Sequence, residues 1–243
     1  MQSIISIIIP CYCSAEYLKD TVIEILDSFS AQSEYLPRLI LIDDCSPDHT
    51  SEVIKELSVD QRITGIYLSQ NMGQSRAKMQ GIPYIKGSLA VFMDDDGQHD
   101  PKGIFTLIHK LSSTKHIVYA KFPEQKESAF RRLTSRVTNV VLSITTGKPF
   151  GLTITSFFAV DATAIEALRD YQSSRPFIGG YLWYLFGQKS VCTADVPHRT
   201  RKVGTSTYSF KKLIQTFLAL NMSMKDIRRY PKGKRSVFSK EKK

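Results

Sequence analysis

Three consecutive aspartates, Asp94-Asp95-Asp96, close the apolar run Leu89-Ala90-Val91-Phe92-Met93. The run is short and apolar, and the turn signal Lys86-Gly87-Ser88 precedes it, so it reads as a buried strand. Three carboxylates delivered together to a strand end repel one another unless a positive charge sits among them. A divalent cation is the simplest such partner. Mg²⁺ and Mn²⁺ favour carboxylate oxygens and keep coordination positions open for substrate phosphates. A solvated acidic turn is the plain alternative for one such cluster, and what accompanies it along the chain decides between them.

The elements that must position these carboxylates emerge from hydrophobic period. Residues 3–10 form an Ile-rich strand, and residues 15–29 carry a helical stripe at Leu18, Val22, Ile25, Leu26 and Phe29. Strands at 38–43 and 62–68 flank a helix at 48–57, which Ser46-Pro47-Asp48 opens. A helix at 74–85 contains Pro83, which should end or kink it. Alternating strands and helices imply right-handed crossovers and a mainly parallel α/β sheet flanked by helices. Such sheets bind ligands beyond the carboxyl ends of their strands. Tyr12-Cys13-Ser14, Asp43-Asp44, Asn71 and the aspartate triplet all fall at such ends. The second half gives helices at 101–111, 128–144, 162–168 and 208–220, and strands at 116–120, 153–160 and 191–198. The 128–144 helix sets Arg131, Arg132 and Arg136 opposite its apolar side, either as a solvated basic face or as a cationic wall for phosphate.

Composition narrows the possibilities. An apolar share of 42% over 243 residues supports a full core. No apolar run reaches the ~18 residues that span a bilayer, and the amino terminus lacks a basic segment and cleavage site like those of a signal peptide. Cys11, Cys13, Cys45 and Cys192 have no metal-type spacing and read as reduced thiols of a cytoplasmic protein. Neither a dinucleotide fingerprint nor a P-loop occurs. The formal charge is +10, and residues 225–243 hold nine Lys or Arg against Asp226 and Glu241. That tail is either a solvated extension or a binder of an anionic membrane surface, and nucleic acid suits it least, because few aromatics interleave it.

Four segments resemble family 2 glycosyltransferases of the GT-A fold, in order and at matching spacing. They are Ile7-Ile8-Ile9-Pro10-Cys11-Tyr12, the stretch from Leu41 to Thr50, Asn71-Met72-Gly73-Gln74-Ser75-Arg76-Ala77, and the stretch from Phe92 to Pro101. Asp94-x-Asp96-x-Gln98 with Pro101, the Arg-rich stretch 127–139, and His198-x-x-Arg201-x-x-Gly204-x-Ser206-x-Tyr208 are similar to the dolichol-phosphate mannose synthase branch and its bacterial polyprenyl-phosphate relatives. The resemblance implies a GT-A domain over 1–224, with a nucleotide-sugar half (1–100), an acceptor half (101–224) and a basic tail (225–243). The chain departs from the pattern at Cys13, usually Asn; at Cys45, usually Gly; at Phe158, usually Arg; and at Thr207, usually Lys.

The same resemblance implies roles. Asp96 would be the main ligand of Mg²⁺ or Mn²⁺, with Asp94 and Gln98 beside it. Pro10, Tyr12, Asp43, Asp44, Arg76, Asp94 and Asp95 would hold the UDP- or GDP-linked donor. Arg131, Arg132, Arg199, Arg201 and Ser206 would face an acceptor phosphate, and Asp94, Asp96 and Arg201 would carry catalysis. A phosphate monoester is mostly anionic at pH 7, since its second pKa is ~6, so it needs cationic positioning more than a base. The expectation is a metal-dependent, inverting hexosyltransferase acting on a polyprenyl phosphate, peripheral at the cytoplasmic membrane face. A glycan-hydroxyl acceptor and a non-catalytic nucleotide-sugar-binding module are the alternatives.

Overall fold

The computed structural model describes residues 2–122, 139–140, 142–197, 199 and 221–229. Seven strands form one sheet: β1 (Ser3–Cys11), β2 (Tyr35–Asp43), β3 (Ile63–Tyr67), β4 (Leu89–Phe92), β5 (Ile117–Lys121), β6 (Phe158–Asp161) and β7 (Val191–Asp195), in the order β3-β2-β1-β4-β6-β5-β7. All pairings are parallel except those of β6, which runs antiparallel to both β4 and β5. The helices are α1 (Leu18–Ser30), α2 (Thr50–Leu57), α3 (Gln74–Gly81), α4 (Lys102–Ile108), α5 (Ala162–Arg169) and α6 (Ile178–Ser190).

Period 2 in the central strands builds two cores. Ile5, Ile7, Ile9, Leu39, Leu41 and Val91 pack with α1, α2 and α4 on one face. Ile8, Ile40, Ile42, Ala90 and Phe92 pack with α3, α5 and α6 on the other. A sheet buried on both faces needs the near-continuous apolar strands seen here. Pro10 fits inside β1 because β4 pairs only with Ile5 to Ile8, leaving no ladder bond for Pro10 to break.

Most expected elements are present with shifted ends. Pro83 does end α3, which passes into a 3₁₀ turn at Ile82–Tyr84. The expected strand at 153–160 begins only at Phe158, and α6 was not expected. Helical residues at 139–140 and 142–146 continue the reading of a helix at 128–144, whose remainder lies outside the described residues. The expected helix at 208–220 lies outside them as well.

The direction of β6 brings one more segment to the edge that holds the aspartate triplet. Because β6 is antiparallel, its amino end meets the carboxyl ends of β1, β2, β4, β5 and β7 there.

Candidate functional site at the carboxyl edge of the sheet

The aspartate triplet leaves β4 at this edge, and its three members have three different environments. Asp94 is enclosed. Its Oδ1 accepts from Lys78 Nζ at 3.0 Å and Gln74 Nε2 at 2.5 Å, and its Oδ2 accepts from Ser156 Oγ at 2.5 Å. Lys78 and Gln74 lie one turn apart on α3, and Ser156 comes from the segment entering β6. Lys78 is itself buried and also donates to the Ser156 carbonyl at 3.4 Å. Burial alone would raise the Asp94 carboxyl, but the Lys78 ammonium, then His99 and the Ser156 hydroxyl, outweigh it and hold the group below the usual carboxylate range.

His99 fixes the backbone beneath. It is buried, stacked on Phe157 at 4.7 Å and on Phe122 at 5.7 Å. Its Nδ1 accepts from the Asp94 amide at 3.1 Å, so in the neutral ring the proton sits on Nε2, 3.9 Å from Asp94 Oδ2.

Asp95 points the other way, to the loop after β1. Its Oδ2 accepts from the Ser14 hydroxyl and from the Tyr12 amide at 3.3 Å. Burial pushes its carboxyl up to about 6, against the pull of the Ser14 and Tyr12 hydrogen bonds and with the charge of Asp94 adding to the rise. Asp95 therefore ties the loop after β1 to the triplet. Asp96 lies in the turn itself, where its Oδ1 accepts from the Gln98 amide at 3.1 Å. Gly97 between them has φ 69°, a conformation that suits glycine.

The other strand ends supply loop-holding groups. Asp43 Oδ1 accepts from the Ser46 amide at 3.0 Å. Both oxygens of buried Asp44 are engaged by the 71–73 loop, from Met72 N at 2.7 Å and Gly73 N at 2.8 Å. In this arrangement the Asp44 carboxylate holds the 71–73 loop through those amides. Tyr12 is 49% exposed at the carboxyl end of β1, close in sequence to buried Pro10. The two departures from the family pattern in these loops coincide with left-handed backbone: Cys13 has φ 53° and Cys45 φ 57°. Asn and Gly are the residues that tolerate that region best.

Two expected site residues have other partners. The Arg76 guanidinium bonds the Ser174 carbonyl, with Nε at 2.8 Å, which ties α3 to the segment before α6 instead of presenting it to a diphosphate. Arg199 pairs with Glu24 of α1 and with Asp100 at 3.2 Å, and its amide donates to the Gln98 carbonyl at 3.0 Å. Two carboxylates neutralise this arginine, so it acts as a latch between the segment after β7 and the aspartate turn. Arg131, Arg132, Arg201 and Ser206 lie outside the described residues.

Among the described residues, no three His, Cys, Asp or Glu side chains converge as a ready metal cluster. The donors at the turn are nevertheless hard oxygens, carboxylates of Asp94 and Asp96 and the amide of Gln98, which suit Mg²⁺ or Mn²⁺. The reading from sequence gave no role to Lys78, Ser156, Gln74, His99 or Ser14, although Gln74, His99 and Ser14 lay within the segments it singled out. The spacing of Gln74 and Lys78 on one helix face was the available signal. Ser156 carried none, because only the sheet topology brings it to Asp94, whereas His99 reaches Asp94 from five residues along the same turn.

An α/β sheet with this strand order and an acidic turn at its carboxyl edge defines a GT-A-type fold. Solved structures of that type match it: glucosyl-3-phosphoglycerate synthase from Mycobacterium tuberculosis with Mn²⁺, UDP and phosphoglyceric acid has a TM-score of 0.66 at 15% identity, covering 94% of this chain and 80% of that one. Mannosyl-3-phosphoglycerate synthase from Rubrobacter xylanophilus has a TM-score of 0.64 at 14% identity, covering 93% and 74%. The sequence profile of Glycosyl transferase family 2 matches residues 6–171, and the chain belongs to that family. Undecaprenyl-phosphate 4-deoxy-4-formamido-L-arabinose transferases from Edwardsiella ictaluri and Salmonella paratyphi A are 29% and 30% identical over 215 residues. The match covers 86% of this chain, which spans 64% of the length of those relatives.

Proposed function

We propose that this chain transfers a sugar, with inversion, from a nucleotide-sugar donor to a polyprenyl phosphate. The observation that carries this reading is the similarity to transferases named for undecaprenyl phosphate, extending over 86% of the chain. Tyr12 and Pro10 line the base pocket, and Asp43 and Asp44 hold its loops. Lys78 keeps Asp94 ionised and fixed. Asp96 and Gln98, with Asp94 behind them, would hold Mg²⁺ or Mn²⁺. When bound, that ion neutralises charge on the diphosphate leaving group.

The acceptor phosphate is anionic at neutral pH, so no residue need remove a proton from it. Its oxygen bonds to the anomeric carbon as the bond to the diphosphate breaks on the opposite side. Arg131, Arg132, Arg201 and Ser206 are the groups assigned to orient it, and Arg suits that task through its paired donors. The basic tail holds the protein at an anionic membrane face. No helix among the described residues is long and apolar enough to cross a membrane.

The test is incubation with polyprenyl phosphate, Mn²⁺ and a panel of UDP- and GDP-sugars, with chromatography of the lipid phase. One donor should yield a lipid-linked sugar. Transfer to soluble glycans with none to lipid phosphate would replace this reading with the hydroxyl-acceptor one.

A further inference from the structure

Residues 139–140 and 142–150 are inside out. Their buried positions are Ser143, Thr145 and Lys148 beside Leu142, whereas Val140, Ile144 and Phe150 face outward at 41%, 73% and 64% exposure. Val140 and Ile144 are one turn apart on the same helix face. A helix that meets water on its outer side carries the opposite pattern.

The inversion is held in place from within. The buried Lys148 ammonium donates to Asn139 Oδ1 at 2.5 Å, Ser143 Oγ at 3.1 Å and the Leu152 carbonyl at 2.5 Å. Asn139 Nδ2 in turn donates to the Phe150 carbonyl at 2.7 Å. Phe150 is therefore carried outward by a loop whose polar groups are satisfied inside.

The helical residues 221–227 lie alongside. Arg228 reaches the Thr145 carbonyl at 2.9 Å, which joins the two segments. Met222 is 42% exposed, and Lys225, Arg228 and Arg229 are exposed with it, against the single acidic residue Asp226. Apolar side chains next to basic ones form the pattern of a surface that enters a lipid headgroup layer.

Ser156, whose hydroxyl sits on Asp94, lies six positions beyond Phe150. The chain between them spans at most ~20 Å. The apolar patch thus lies within reach of the acidic turn.

We infer that Val140, Ile144, Phe150 and Met222, bordered by Lys225 and Arg229, form the face that docks on an anionic lipid bilayer. A second copy of the chain fits this face less well, because each copy carries a formal +10 and like charges would meet. The inference rests on the polyprenyl-phosphate reading for its purpose, since that acceptor presents its phosphate at the bilayer surface, but its test does not require transfer.

The test is co-sedimentation of the full chain with phosphatidylcholine vesicles containing one quarter phosphatidylglycerol. The double variant Ile144→Asp, Phe150→Asp should bind at least tenfold more weakly, with an unchanged circular dichroism melt. Ile144→Trp should bind as well as the parent and shift its added fluorescence to the blue on binding. Binding that is unchanged in the double variant, and removed by high salt in both proteins, would assign attachment to the basic tail alone and overturn the inference. So would a concentration-dependent dimer that the double variant abolishes. A water-soluble short-chain prenyl phosphate separates the two readings. Vesicle binding that depends on Ile144 and Phe150, without transfer to any prenyl phosphate, keeps the docking face and removes the proposed acceptor. Transfer to the soluble acceptor, with vesicle binding indifferent to those residues, does the reverse.

Discussion

Asp94 and Asp96 are two residues apart and have unlike environments, so their removal should have unlike consequences. Asp94 is the counter-charge of a buried lysine, and removing one partner of such a pair costs ~3–5 kcal/mol. Asp94→Ala should therefore lower stability by about 3 kcal/mol in urea unfolding, whereas Asp96→Ala should change it by less than ~1 kcal/mol. Both should lose metal-dependent transfer. Equal stability losses in the two variants would mean that Lys78 finds another partner and that Asp94 has no special structural duty. The cysteines offer a second test. An L-residue in left-handed backbone costs ~1–2 kcal/mol, partly offset in glycine by its greater loss of chain entropy. With φ 57° at Cys45, Cys45→Gly should stabilise by ~0.5–1 kcal/mol, and Cys13→Asn, at φ 53°, by less. An unchanged urea midpoint for Cys45→Gly would contradict the strain argument.

At the scale of elements, Arg199 connects three of them: α1 through Glu24, the aspartate turn through Asp100 and Gln98, and the strand β7 that leads to it. A latch and a phosphate ligand fail differently. Loss of a partly exposed pair of this kind costs up to ~1 kcal/mol. Arg199→Ala should accordingly lower Tm by a few degrees and show coupling with Glu24→Gln in a double-mutant cycle, while the acceptor KM changes less than threefold. A tenfold rise in KM at constant Tm would restore Arg199 to the acceptor phosphate. This residue also shows how far the sequence could be read. β1 and β4 were legible because strands buried on both faces must be apolar throughout, and the end of α3 because Pro83 cannot continue a helix. Helix α6 was not, since its buried residues run consecutively from Ile178 to Trp183 and leave no period, while Gly179-Gly180 imitates a turn. The segment Thr153-Ile154-Thr155 has β-branched residues suited to a strand, yet Thr155 Oγ1 bonds the Ala120 and Phe157 carbonyls and the ladder starts three residues later. In the site, the acidic triplet and its flanking loops could be read because each sits at the end of its own strand. Ser156 could not, because antiparallel β6 alone brings it to Asp94, and Lys78 showed itself only by its one-turn spacing from Gln74 on α3.

At the scale of the whole molecule, the edge where two cores end gathers negative charge in a protein that is otherwise basic. Lys78 neutralises Asp94, and Asp95 is turned into the Ser14 loop, so Asp96 is the member of the triplet proposed to meet the metal. A nucleoside diphosphate brought there without a cation meets like charge, so donor and metal should bind as a pair. Ligand that binds only the folded state stabilises by ~2.7 kcal/mol at a hundred times its Kd, which for a chain of this size is roughly 5–10 °C in Tm. UDP or GDP together with Mn²⁺ should produce such a rise in a thermal-shift assay, and either component alone should produce much less than half of it. Asp96→Ala should remove the synergy while leaving any metal-independent shift through Tyr12 and the loops held by Asp43 and Asp44. A nucleotide shift of full size in EDTA would show that the carboxylates at this edge do not oppose the diphosphate, and that cations from the chain itself, Lys78 first among them, balance its charge.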